Sequence, residues 1–135
     1  MASNIRRGRS VVSDLQAHLV FITKYRRKVI SKRVLRRLRE IFDSVCCHFD
    51  ATLLECDGER DHVHLLVAYP PKYPVSKLVN SLKLVSSRLI RKEGFHEVEA
   101  NLYGKHFWSP SYYAGSCGGA NLQTVAKYIQ NQSSP

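Results

Sequence analysis

No stretch of this 135-residue chain holds the roughly 18 consecutive apolar residues that a membrane-spanning helix needs. The first ten residues, Met1–Ser10, carry three arginines and no apolar centre, so no secretory signal is expected. Glycine-rich phosphate cradles are missing as well. There is no G-x-x-x-x-G-K-[ST], no G-x-G-x-x-G and no G-x-S-x-G, which argues against an ATPase, a dinucleotide enzyme and an α/β-hydrolase. Cysteine is sparse: Cys46, Cys47, Cys56 and Cys117 contain no C-x-x-C pair, and two adjacent cysteines suit neither a disulfide framework nor a zinc ribbon. Four reduced thiols in a cytoplasmic protein is the expectation. With no internal repeat and no low-complexity tract, residues 1–135 read as one domain.

Acidic residues are also few. Eleven Asp and Glu face 21 Lys and Arg, a formal net charge of +10 with a pI near 9.7. That imbalance on a chain with 44% hydrophobic residues is the electrostatic footprint of a folded polyanion binder, nucleic acid first among the candidates. Each cation that neutralises a phosphate releases a counterion, which gives affinity independent of sequence. A surface kept soluble by positive charge is the plainer reading of the same numbers.

The apolar pattern divides the chain into elements. Residues 17–23 form an apolar, β-branched strand, followed by the basic turn Lys24–Lys28. Ser31 can cap a helix over 32–48, whose Leu35, Leu38, Phe42, Val45 and Phe49 recur at helical steps. Lys32, Arg33, Arg36, Arg37 and Arg39 make its first half strongly positive, with Glu40 alone opposing them in that half. Two strands follow, 51–57 and 62–69, joined by a hairpin-length connection at 58–61. Pro70, Pro71 and Pro74 open a helix over 75–92 that Gly94 stops. A short helix in 95–110, a strand at 111–115 and a last helix at 122–132 complete the order. β-α-β-β-α-β-α is the ferredoxin-like split βαβ plan, an α+β fold with a four-stranded antiparallel sheet and helices on one face.

His62 and His64 stand two apart on a predicted strand, so both leave the same face, about 7 Å apart. Val63, Leu65 and Val67 point the other way, beneath the helices, so the histidines occupy the open face. Two imidazoles there could converge on a metal ion or a phosphate, or could simply be half-exposed. Tyr128 and Gln132 lie four apart on the last helix and share a face. A phenol is a possible covalent nucleophile, and an amide oxygen an adequate ligand for a hard divalent cation. A tyrosine packed at a helix–sheet boundary is the bland alternative. Cations and aromatics interleave at Lys24–Lys28, Lys105–Trp108 and Tyr112–Tyr113, a mixture suited to single-stranded nucleic acid. Trp108 and Tyr112 could equally be core.

In chain order, the Asp61-His-Val-His-Leu-Leu-Val67 run, Pro70-Pro-Lys72, Leu82-Lys83, Ser86-Ser-Arg88, Phe107-Trp-Ser-Pro-Ser-Tyr-Tyr113 and Val125-Ala-Lys-Tyr-Ile-Gln-Asn-Gln132 resemble the single-tyrosine HUH transposases, the TnpA enzymes of the insertion-sequence 200/605 family. The resemblance runs from about residue 17 to residue 132, nearly the whole chain. It implies a metal-dependent strand transferase acting on single-stranded DNA. His62 and His64 would match the histidine pair, Gln132 a third ligand for Mg²⁺ or Mn²⁺, and Tyr128 the nucleophile left as a 5′-phosphotyrosine. It also implies a homodimer, hairpin-containing element ends as substrate and no nucleotide cofactor. Lys24, Arg26, Arg27, Arg36, Lys83 and Arg88 are the candidate DNA contacts. Leu84 departs from the family, where a small residue is common after the lysine. A domesticated relative acting on palindromic host repeats would share the chemistry; a non-catalytic nucleic-acid-binding module would need none of the four site residues together.

Overall fold

The computed structural model describes residues 5–7, 12–101, 106–116 and 127–131. In chain order these form β1 (Arg6–Arg7), β2 (Val12–Ser13), β3 (Gln16–Ile22), a 3₁₀ turn (Lys24–Arg26), α1 (Lys32–His48), β4 (Thr52–Gly58), β5 (His62–Ala68), α2 (Val75–Lys92), α3 (His96–Glu99) and β6 (Tyr113–Ser116). Residues 127–130 are helical and Asn131 closes them as a turn; residues 122–126 and Gln132 of the expected 122–132 helix lie outside the described residues. The β1–β2 ribbon, pairing Arg6 with Ser13 and Arg7 with Val12, has no counterpart in the sequence expectation.

Four strands make one sheet in the order β4-β5-β3-β6, with every neighbour antiparallel. This is the ferredoxin-like arrangement. Strand alternation sorts its two faces. Ala17, Leu19 and Phe21 of β3 and Val63, Leu65 and Val67 of β5 join Val34, Leu38, Phe42, Leu78 and Leu82 of the helices in one core. Burying each of these side chains contributes on the order of 1.5–3 kcal/mol.

Local signals set the helix ends. Ser31 at the N-cap of α1 accepts from the Val34 amide at 3.2 Å, satisfying one otherwise orphaned donor. Helix α2 starts behind Pro74 and stops before Gly94, whose φ of 71° is left-handed and costs a glycine little. Among the described residues no helix is long and apolar enough to cross a membrane.

Two readings that the sequence left open resolve here. Trp108 is 5% exposed and sits edge-on to Phe21 with ring centroids 5.8 Å apart, so it is core and presents no face to a nucleobase. Its indole N–H donates to the buried Ser86 hydroxyl at 2.9 Å. The basic half of α1 is less bare than its own sequence suggests. Glu93, just past α2, binds Arg37 through both carboxylate oxygens at 2.8 Å. Glu97 of α3 takes Arg33 at 2.6 and 2.8 Å and also accepts from the Ser31 hydroxyl.

Candidate active site

The sheet face away from the helices carries the histidines. In β5, His64 pairs with Val20 of β3 and Asp57 of β4, and His62 pairs with Ile22. Period-two alternation therefore sends both imidazoles outward beside Val20 and Ile22, as the sequence pattern predicts. The rings meet edge to face with centroids 4.9 Å apart. His62 is only 8% exposed, so it forms the floor of the site.

Asp61 sets the state of His62. Its Oδ1 lies 2.8 Å from His62 Nδ1, and its Oδ2 accepts from Arg26 Nε at 3.1 Å. Burial pushes the Asp61 carboxyl up, but the hydrogen bonds from His62 and Arg26 outweigh it and hold the group below the usual carboxylate range. An ionised carboxylate only accepts, so the His62 proton sits on Nδ1 and the lone pair on Nε2. That is the tautomer and support found around histidines that bind metals.

His64 Nδ1 faces His18 Nε2 at 3.4 Å, with ring planes 21° apart and centroids 5.5 Å apart. The centroid separation is close to the longest that such a nitrogen contact allows, so the rings meet edge to edge in nearly one plane. Burial, then the neighbouring His62 and His18, lowers the His64 pKa to about 4, which keeps the imidazole neutral. His18 also meets the Tyr113 ring at a near-perpendicular angle, with centroids 6.1 Å apart.

Residues 127–130 lie over the same face. Tyr128 and Ile129 pack on Val20 and Ile22, and the Tyr128 ring tilts against Tyr113 at 5.9 Å. The Tyr128 and Ser111 hydroxyls are 3.1 Å apart. Burial raises the phenol's pKa, and the bond to Ser111 works against that rise. Tyr113 and His18 thus link Tyr128 to the His62–His64 pair through a chain of ring contacts.

The Ser111 segment is itself held in place. The Lys83 ammonium, whose pKa burial lowers, donates to the carbonyls of Ser109, Pro110 and Ser111 at 2.7, 3.2 and 3.2 Å. Lys83 therefore clips the chain entering β6. Of the other basic candidates, Lys24, Arg26 and Arg27 follow β3 beside Asp61, whereas Arg36 and Arg88 are exposed on the helical layer, across the sheet from the histidines.

Gln132 lies outside the described residues, and among those described no three His, Cys, Asp or Glu side chains are grouped to hold a metal. The described donors are two imidazoles on one face, which fit a divalent transition-type cation provided another ligand completes the set. The sequence pattern does not single out His18 or Ser111, and it marks Tyr113 only as a surface for stacking bases. His18 had a usable signal, a polar side chain in an apolar strand, in the alternation that sends Val20 and Ile22 to the open face.

The chain matches the family model "Transposase IS200 like" over residues 11–132, and it belongs to that family. It is 27% identical over 128 residues to the ISDra2 transposase TnpA of Deinococcus radiodurans, covering 95% of this chain and 91% of that one. It is 32% identical over 115 residues to the transposase for insertion sequence element IS200 of Salmonella typhimurium, covering 85% and 74%. A 1.90 Å crystal structure of a Deinococcus radiodurans protein assigned as a transposase superposes with a TM-score of 0.83 at 28% identity, covering 96% of this chain and 99% of that one. A REP-associated tyrosine transposase bound to a REP hairpin shares the fold, with a TM-score of 0.56 at 12% identity, covering 96% and 68%.

Proposed function

We propose that this transposase cleaves and rejoins single-stranded DNA at insertion-sequence ends by covalent attachment to Tyr128. The observation that carries the reading is that Tyr128 and the His62–His64 pair share the one sheet face left uncovered by α1 and α2. The Tyr128 oxygen attacks a backbone phosphorus, the bond to the 3′-oxygen breaks, and the 5′ side remains as a phosphotyrosine. The proton lost from the phenol balances the one that completes the 3′-hydroxyl. A second 3′-hydroxyl reverses the exchange, so rejoining needs no nucleotide, in keeping with a sequence that lacks nucleotide-binding motifs.

His62, His64 and Gln132 would hold Mg²⁺ or Mn²⁺, which when bound supplies Lewis-acid stabilisation of the phosphate and of the departing oxygen. Asp61 keeps His62 in the ligand-competent tautomer. Ser111 positions the Tyr128 hydroxyl. Hairpin-containing element ends are the proposed substrate, a homodimer the proposed working form and the cytoplasm the proposed place of action. The net charge of +10 supplies the general attraction for the DNA backbone.

The test is a denaturing gel of the protein with labelled single-stranded DNA from the flanks of its own locus and Mn²⁺. Wild type should give a covalent protein–DNA band that Tyr128→Phe and His64→Ala lack. A band that persists in Tyr128→Phe would assign the nucleophile elsewhere.

A further inference from the structure

The turn after β3 is built around Asp61. Thr23 is fully buried, and its amide donates to the Asp61 carbonyl at 2.9 Å. The Thr23 hydroxyl shares its proton between the Arg27 carbonyl at 2.7 Å and the Asp61 carbonyl at 3.1 Å. Two non-glycine residues in this turn, Tyr25 at φ 59° and Arg26 at φ 55°, take the left-handed conformation that side chains ordinarily avoid. The chain curls tightly there, and the Arg26 guanidinium comes back onto Asp61.

Both carboxylate oxygens of Asp61 are thereby engaged, one by Arg26 and the other by His62. With Arg26 absent, a 9% exposed carboxylate would lose its cation and the fixed orientation that aims Oδ1 at His62. Among the described residues His64 has no such carboxylate hydrogen bond; its Nδ1 meets the His18 imidazole instead.

We propose that Arg26 is a positioning residue for His62, acting through Asp61, and that its principal role is this and not contact with DNA. The proposal rests on reading His62 as a cation ligand only for its consequence; the positioning itself belongs to the metal-free protein. Fixing the Nδ1–H tautomer leaves one Nε2 lone pair in one direction, and such supports typically carry 10–100-fold in metal affinity.

Side-chain ¹⁵N NMR of the metal-free protein reads the His62 tautomer directly. Wild type should show the Nδ1–H form alone. Arg26→Gln should give a mixture of tautomers, and Arg26→Lys, which can still donate to Asp61, should restore most of the wild-type signal. In an Asp61→Asn background Arg26→Gln should add nothing, because the route is already cut. Calorimetry should show Mn²⁺ binding weakened roughly tenfold in Arg26→Gln. An unchanged His62 spectrum in Arg26→Gln, with only single-stranded DNA affinity reduced, would overturn the proposal and make Arg26 a DNA contact. If wild type takes up no Mn²⁺ while Arg26→Gln still redistributes the tautomers, the positioning role stands and the ligand reading of His62 falls.

Discussion

The Tyr128 hydroxyl lies 3.1 Å from that of Ser111, joining the last helix to the segment that leads into β6. Burial of the phenol disfavours its charged form, and Ser111 is the group that opposes this effect. The sign follows: Tyr128 should ionise above the ordinary tyrosine value, and Ser111→Ala should move it higher still. Phenolate absorbance, taken as the difference between wild type and Tyr128→Phe across a pH series, reads both shifts. The lost hydrogen bond, about 1 kcal/mol, should also slow adduct formation several-fold. A Tyr128 transition at or below the ordinary value would show that burial does not govern this phenol.

Trp108 and Ser86 make a buried polar link between α2 and the segment before β6. Ser86→Ala removes the acceptor and leaves an indole N–H sealed in the core, which should cost about 1–3 kcal/mol in urea unfolding. In a Trp108→Phe background the same change should cost much less, because no donor remains to be stranded. Equal costs in the two backgrounds would mean that the bond contributes nothing.

How far the chain could be read in advance depended on the range of the interactions. Helices over 32–48 and 75–92 end where the sequence places them, because Ser31, Pro74 and Gly94 act within a few residues of the ends they set. The strand expected at 17–23 lies at Gln16–Ile22, and His62 and His64 share a face because alternation is local. The strand expected at 111–115 begins two residues later, at Tyr113. It is a short edge strand, and Lys83, far back in α2, holds the carbonyls of the residues before it. His18 meets His64 across 46 residues of sequence, and Arg33 meets Glu97 across 64. No periodicity encodes such pairs; only the packing of α1, α2 and the sheet brings them together.

The cysteines should separate by reactivity. Burial pushes the Cys46 thiol up to about 12, and burial pushes Cys56 up to about 11 despite the opposing Arg39. A raised pKa means less thiolate at any given pH, and the thiolate is the nucleophile. Of the three described cysteines, exposed Cys47 should therefore be alkylated first under mildly alkaline conditions, with Cys46 and Cys56 modified only on unfolding or at much higher pH. Peptide mapping after timed iodoacetamide exposure checks this. Early labelling of Cys46 would mean that α1 opens against the sheet far more readily than its packing implies.

Glu93 and Glu97 occupy two of the arginines that α1 would otherwise present to a polyanion. Both carboxyls are held below their usual range, Glu93 chiefly by Arg37 and Glu97 chiefly by Arg33, so the pairs persist at neutral pH and loosen only as pH falls. Exposed pairs of this kind contribute little to stability. Their larger effect is on the surface field, since each sequesters a cation that could neutralise a phosphate. Glu93→Gln with Glu97→Gln should leave the melting temperature nearly unchanged and tighten binding of single-stranded DNA at low salt. The log–log salt dependence should steepen by about 0.7 for each freed arginine that reaches a phosphate. Fluorescence anisotropy over a salt series measures both quantities. An unchanged slope would mean that nucleic acid does not reach this end of the helical layer, leaving Arg33 and Arg37 with a purely structural part.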